Sequence, residues 1–226
     1  MISSLDHLIV AVKDLQEAEL NYKKVFGIEP VWRGQHKELG TANSIFNFNN
    51  TYFELLAAKG KGLGASLVEN AIEENGDGLI GIVFGTKDIN KASKRLTKMG
   101  YSVAEISEGE GTDNNSKVTR NWKNLFLPPE LTRGIFSFII EHTHGHLPTI
   151  EEFPKDTINK LDHVVINTND ADGFINIYKD VFDIRLALDK VIEHWKRRML
   201  FFRVNKTTIE VIEEQNENEP LDILWG

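Results

Sequence analysis

Near the N-terminus an apolar run rich in β-branched residues, Ile9 to Val12, reads as a strand. Asp14 stands where a helix N-cap is wanted, and Leu15, Ala18, Tyr22 and Val25 follow at helical spacing. Gly27 takes the position at which left-handed backbone closes a helix. Three more strand-like runs lie near 29–33, 43–48 and 51–58, with the polar turn Asn49-Asn50 between the last two. The pattern predicts one β-α-β-β-β unit over residues 1–58.

The unit repeats. Leu5-Asp6-His7-Leu8-Ile9-Val10 returns as Leu161-Asp162-His163-Val164-Val165-Ile166, an offset of 156 residues. Without a gap, Tyr22 meets Tyr178, Val25-Phe26 meets Val181-Phe182, Phe46 meets Phe202 and Glu54 meets Glu210. A constant offset over so long a stretch marks a structural repeat. A fainter copy lies between: Leu79-Ile80-Gly81-Ile82-Val83 fills the first-strand slot, and Lys87-Asp88-Ile89 matches Lys13-Asp14-Leu15. Its closing strand is expected at Ile135–Glu141, with Glu141 in the Glu slot and Gly81 where the other copies have His. The fold class is therefore α+β, with three tandem βαβββ modules over 1–58, 78–145 and 159–214.

The intervening segments are polar. Residues 59–77 are Gly-, Glu- and Asn-rich around a helical stretch at Ala65–Glu73, and residues 142–159 carry Pro148 and Pro154. Ser107–Lys117 reads as a mobile loop between strands, and Glu213–Glu219 as a solvated acidic stretch before Ile223, Leu224 and Trp225, which are expected to dock.

Composition narrows the function classes. A net charge of −8, with Lys196-Arg197-Arg198 as the only tight basic run, argues against a nucleic-acid or acidic-membrane surface. With no cysteine, thiolate nucleophiles and Cys-based metal sites drop out. The N-terminus lacks a basic, then apolar, leader and no run approaches a membrane span, so a cytoplasmic location is expected.

Alternation places His7, Ile9 and Ala11 on one strand face, and Tyr52, Glu54 and Leu56 on another. If first and fourth strands are neighbours, His7 and Glu54 sit side by side. Imidazole plus carboxylate suits Zn, Ni, Mn or Fe(II), while both residues also suit inherited structural roles. His36, ahead of Gly40-Thr41-Ala42-Asn43, is a candidate proton donor or acceptor near neutral pH, or a turn residue. Arg120 and Trp122 share a strand face, a cation and an aromatic fit for a carboxylate- or ring-bearing ligand, or for packing. The run His142-Thr143-His144-Gly145-His146 is read as a turn, not a dedicated metal site.

These motifs resemble the vicinal oxygen chelate superfamily, which includes glyoxalase I, extradiol dioxygenases and bleomycin-resistance proteins. More closely, His7, then Arg33-Gly34-Gln35-His36, Gly40-Thr41-Ala42-Asn43, Tyr52-Phe53-Glu54-Leu55-Leu56 and Phe138-Ile139-Ile140-Glu141 is similar to the glyoxalase-like domain family over residues 3–145. The resemblance implies two modules paired in a curved sheet around a cleft. It also implies a divalent metal held by His7, Glu54 and Glu141, with His163 and Glu210 the corresponding pair in the third module. Glu54, Glu141 and His36 are then the candidate catalytic residues, and Arg33, Asn43, Arg120 and Trp122 the candidate substrate contacts. The implied function is a divalent-metal-dependent lyase, isomerase or dioxygenase acting on a small oxygen-rich metabolite. The alternatives are a metal-free small-molecule binding or sequestering protein of the bleomycin-resistance type, and a scaffolding dimer without a ligand. An odd module count suggests a homodimer through the third.

Overall fold

In the computed structural model, residues 1–214 and 222–225 are described. The first repeat runs β1 (Ser4–Ala11), α1 (Leu15–Phe26), β2 (Trp32–His36), β3 (Thr41–Asn47) and β4 (Tyr52–Ala58). Asp14 caps α1 by accepting from the amides of Gln16 and Glu17, and Gly27 ends it at φ 72°. Helix α2 (Leu63–Asn75) leads to the second repeat: β5 (Gly78–Gly85), α3 (Ile89–Lys98), β6 (Ser107–Thr112), β7 (Thr119–Phe126), α4 (Pro129–Thr132) and β8 (Phe136–His144). The third comprises β9 (His163–Thr168), α5 (Ala171–Phe174) prolonged by π-helical turns over Ile175–Val181, β10 (Arg185–Ile192), β11 (Arg197–Val204) and β12 (Thr207–Glu213). The tandem βαβββ plan is present throughout.

β1 pairs parallel with β4 and antiparallel with β5, which joins the first two repeats into one eight-stranded sheet, β2-β3-β4-β1-β5-β8-β7-β6. The sheet curls until its ends meet: Asn114 N donates to Arg33 O at 2.7 Å, and Asp113 Oδ1 accepts from Arg33 N at 2.9 Å. Val10, Phe46 and Leu55 bury against α1 on the convex side. His7, Ile9, Tyr52, Glu54 and Leu56 line the concave side. Period-two alternation thus separates core from cleft.

Two elements depart from expectation. The strand anticipated at 29–33 is β2, beginning at Trp32; Pro30 has no amide proton for a ladder. The segment read as a mobile loop contains β6, an edge strand paired with β7. Its lack of apolar alternation hid it. Its glycines make room, because a Cβ on Gly109 would run into the Trp122 indole and one on Gly111 would lie 3.1 Å from it.

The third repeat forms its own five-stranded sheet, β10-β11-β12-β9-β13, with β13 the two residues Ile223–Leu224. Its helix side shares a core with the convex side of the second repeat, and Phe84 meets Tyr178 and Phe182 at 5.7 and 5.3 Å between ring centroids. The opposite face, with His163 and Glu210, therefore points away from the cleft. β13 pairs with β9 at Ile166 and Asn167, on the edge by which β1 joins β5. A second copy joining the third repeat as the first two join each other would have to displace it. Ile223 and Leu224 do dock; residues 215–219 of the acidic stretch lie outside the described residues.

Candidate active site

The paired repeats enclose a cavity of about 410 Å³, within the range usual for small-molecule sites. Its walls are mainly apolar: Ile9, Ile45, Leu56, Trp32, Trp122, Phe126, Phe136, Phe138 and Ile140. The polar groups are concentrated in one cluster built from β1, β2, β3, β4, β7 and β8.

His7 is its centre. The imidazole is buried and stacks on Tyr52 at 4.4 Å. Its Nδ1 lies 2.8 Å from Asp6 Oδ1, and its Nε2 lies 3.3 Å from Glu54 Oε2. Glu54 Oε1 accepts from Asn43 Nδ2 at 2.5 Å, and Asn43 Oδ1 in turn accepts from Gly34 N. A register shift between Leu5 and His7 lets the adjacent residues Asp6 and His7 meet. Asp6 also receives His142 Nε2 at 3.1 Å, and His142 Nδ1 faces Arg120 Nη2 at 3.3 Å. Arginine only donates, so His142 accepts at Nδ1 and donates from Nε2.

The environment sets the charges. Burial alone would lower the His7 pKa, but the hydrogen bonds and charges of Asp6 and Glu54 outweigh it and hold the pKa above 6.5. Burial likewise works against the Glu54 carboxylate, yet the His7 contact and Asn43 bring it down to about 2. Asp6 sits well below the usual carboxylate range, where His142 and His7 overcome its burial. His36 goes the other way. Burial pushes its pKa below 6.5, and its Nδ1 pairs with Thr41 Oγ1 at 3.0 Å. The same side chain is thus pushed toward the imidazolium at position 7 and toward the neutral imidazole at position 36.

Comparison with known proteins now places the chain. A model of the glyoxalase-like domain matches residues 5–182. The chain belongs to the glyoxalase-like domain family. The model of the glyoxalase/bleomycin resistance protein/dioxygenase superfamily matches residues 160–223, covering the third repeat. An ethylmalonyl-CoA/methylmalonyl-CoA epimerase from Cereibacter sphaeroides is 31% identical over 132 residues, 58% of this chain and 91% of the epimerase. A hypothetical protein from Staphylococcus aureus superposes with TM-score 0.69 at 15% identity, over 96% of this chain and 87% of its own. A mutant 4-hydroxymandelate synthase from Streptomyces coelicolor gives 0.62 at 16%, over 95% of this chain and 64% of its own. Both likenesses concern the fold.

The donor set of this glyoxalase-like chain does not fit the metal its resemblance implied. In the first repeat His7 pairs with Tyr52 and Ile9 with Glu54; in the second Gly81 pairs with Phe136 and Val83 with Phe138. By register, Phe138 stands in the Glu54 slot. Glu141 lies three residues further on and on the other face, where Oε2 accepts from Ile89 N at 2.7 Å and caps α3. The missing His corner is filled as well: a Cβ on Gly81 would lie 2.9 Å from Phe136 Cδ1. No group of three or more His, Cys, Asp or Glu positioned to hold a metal occurs among the described residues. Both His7 nitrogens already face carboxylates.

Of the other expected residues, Glu54, His36, Asn43, Arg120 and Trp122 come together in the cavity. Arg33 does not. It points to the helix side, bound to both Glu19 oxygens at 2.7 and 2.9 Å. His163 and Glu210 approach to 3.9 Å in the separate sheet. Asp6, His142 and Asn124 were missed. The repeated Leu-Asp-His triplet was the available signal for Asp6, since Asp162 makes the same contact with His163 at 3.2 Å. Among the described residues no helix is long and apolar enough to cross a membrane.

Proposed function

We propose that the cleft is the active site of a proton-transferring enzyme of the isomerase or lyase type, acting on a small oxygen-rich carbon acid. The observation that carries this reading is a pair of histidines lining one apolar cavity, His7 between two carboxylates and His36 against a hydroxyl, whose pKa values are displaced in opposite directions. Groups whose environments push their pKa values apart supply the acid and the base of proton-transfer chemistry. In the tautomer that donates Nδ1–H to Thr41, His36 keeps a lone pair on Nε2 and takes a proton from carbon beside a carbonyl. The proton shared between His7 Nε2 and Glu54 Oε2 is returned to the substrate, breaking one C–H bond and forming another C–H or O–H. Asp6 and Asn43 hold that donor pair in position. The apolar walls exclude water and strengthen these interactions. The epimerase relative, whose name describes inversion at a stereocentre, supports the same reaction class.

A second reading, sequestration of a small ligand without turnover, is supported by the aromatic lining and by the internal satisfaction of both carboxylates. Solvent exchange separates the two. In D2O, NMR of small 2-oxo acids, 2-hydroxy ketones and methylmalonyl-CoA should show catalysed loss of a C–H signal with at least one of these classes. The rate should trace a bell: its rising limb lies below pH 6.5, where His36 loses its proton, and its falling limb above pH 6.5, where His7 loses its own. Binding without exchange at any pH sinks the enzyme and leaves the sequestering protein.

A further inference from the structure

Arginine 120 is buried, with 5% of its surface exposed, and makes no ion pair with a carboxylate among the described residues. Its guanidinium lies over the rings of Trp32 and Tyr52, 5.4 and 5.7 Å from the centroids, and touches His142. Its Nε is buried and has no hydrogen-bond partner. The only other such side-chain atom among the described residues is Asn124 Oδ1, and both residues line the same cavity. A buried guanidinium that meets no carboxylate and keeps one nitrogen unpaired, and a buried amide oxygen without a donor, are each costly unless a ligand completes them.

Their positions define what would do so. Arg120, Trp122, Asn124 and Phe126 follow at alternate positions on the cleft face of β7. Arg120 and Asn124 are four residues apart, so their backbones are separated by roughly 13 Å at ~3.3 Å per residue. Trp122 stands between them along the strand, its indole turned across Gly109 and Gly111. We propose that the substrate is a carboxylate whose flat, unsaturated body lies along Trp122, with its carboxylate on Arg120 and a hydrogen-bond donor at its far end on Asn124. Arginine suits this role because its fixed fork matches a carboxylate. The anion lands at the end of the cavity nearest His142, Asp6 and His7, beside the proton-transfer groups. This inference rests on reading the cleft as the substrate site, and it names the class of molecule that site takes.

Calorimetric titration with three probes tests it: phenylacetate, its neutral amide phenylacetamide, and 4-aminophenylacetate. Wild-type protein should bind phenylacetate at least ~10-fold more tightly than the amide, the scale of one charge-assisted hydrogen bond. Arg120→Gln should abolish that preference and Arg120→Lys should restore part of it. The wild type should bind 4-aminophenylacetate more tightly than phenylacetate, and Asn124→Leu should remove that gain; no gain in the wild type overturns the assignment of Asn124. Equal binding of acid and amide by the wild type overturns the proposal, as does no carboxylate binding at millimolar concentration or an undiminished preference in Arg120→Gln. Because no turnover is involved, carboxylate selectivity without C–H exchange refutes the acid–base reading alone. Exchange of a neutral carbon acid by a protein blind to carboxylates refutes this inference alone.

Discussion

The pairs His7–Glu54 and His163–Glu210 occupy the same register positions of the same structural unit, and each His has an Asp immediately before it. Their surroundings differ. The His7 side chain is 4% exposed and that of His163 is 47% exposed. His7 lies 3.3 Å from its Glu and His163 lies 3.9 Å from its own. The first pair is closed over by a second module that brings Arg120, Trp122 and His142 across from it. The other pair faces outward on a sheet whose corresponding edge is taken by β13. An identical dyad is therefore drawn out of water only where a neighbouring module covers it. Pairing of modules, more than the residues of one module, makes the site.

The sharpest way to break this comparison is to neutralise each carboxylate in turn. Glu54→Gln should reduce C–H exchange by roughly 10²–10⁴-fold, the usual contribution of a positioned acid–base group. Glu210→Gln should leave the rate within about twofold. Comparable losses in both variants would show that the exposed pair serves the reaction, and equal indifference would remove the dyad from it.

Stability provides the next contrast. His7→Ala leaves Asp6 and Glu54 as buried carboxylates without their cation, and loss of one partner from such a cluster costs about 3–5 kcal/mol. His163→Ala removes a solvated ring and should cost less than about 0.5 kcal/mol. The sign with pH follows from the shifts. The raised His7 pKa contributes stability in full below pH 6.5 and loses it as pH rises through the folded value. The lowered Glu54 pKa contributes fully above pH 4.5 and loses it as pH falls toward about 2. Urea denaturation between pH 4.5 and 6.5 should thus give the largest gap between wild type and His7→Ala, and a smaller one at pH 9.

Much of this comparison was legible from residues alone. The constant offset from Leu5 to Glu54 against Leu161 to Glu210 disclosed the repeat, and Asp14 and Gly27 bounded α1 to within a residue. The second repeat was harder, because its match rests on few residues. The stretch Phe136-Ser137-Phe138-Ile139-Ile140 is apolar on both faces, so alternation could not say which residues face the cleft. Only the pairing of Gly81 with Phe136 settles that Phe138, Ile140 and His142 point inward and Glu141 outward. Asp6 reaches His7 through a local irregularity in β1, a feature with no sequence signature. Arg33 illustrates the converse: Trp32 and His36 of the same strand line the cleft, and one position along the strand sends it to Glu19.

Glu141 gives the finest test, because it separates a ligand from a cap. Its Oε2 accepts the amide proton of Ile89, the first residue of α3, while Asp88 accepts from Lys91 N. Two carboxylates thus satisfy free amides at one helix start and favour its positive end. Glu141→Ala should therefore cost about 1 kcal/mol, the usual price of a lost helix cap, read as a shift in the urea midpoint without a change in slope. Exchange rate and pH profile should be those of the wild type, since the side chain never reaches the cavity. A fall in rate approaching that of Glu54→Gln, with stability unchanged, would return Glu141 to the cleft and overturn the register that places Phe138 opposite Glu54.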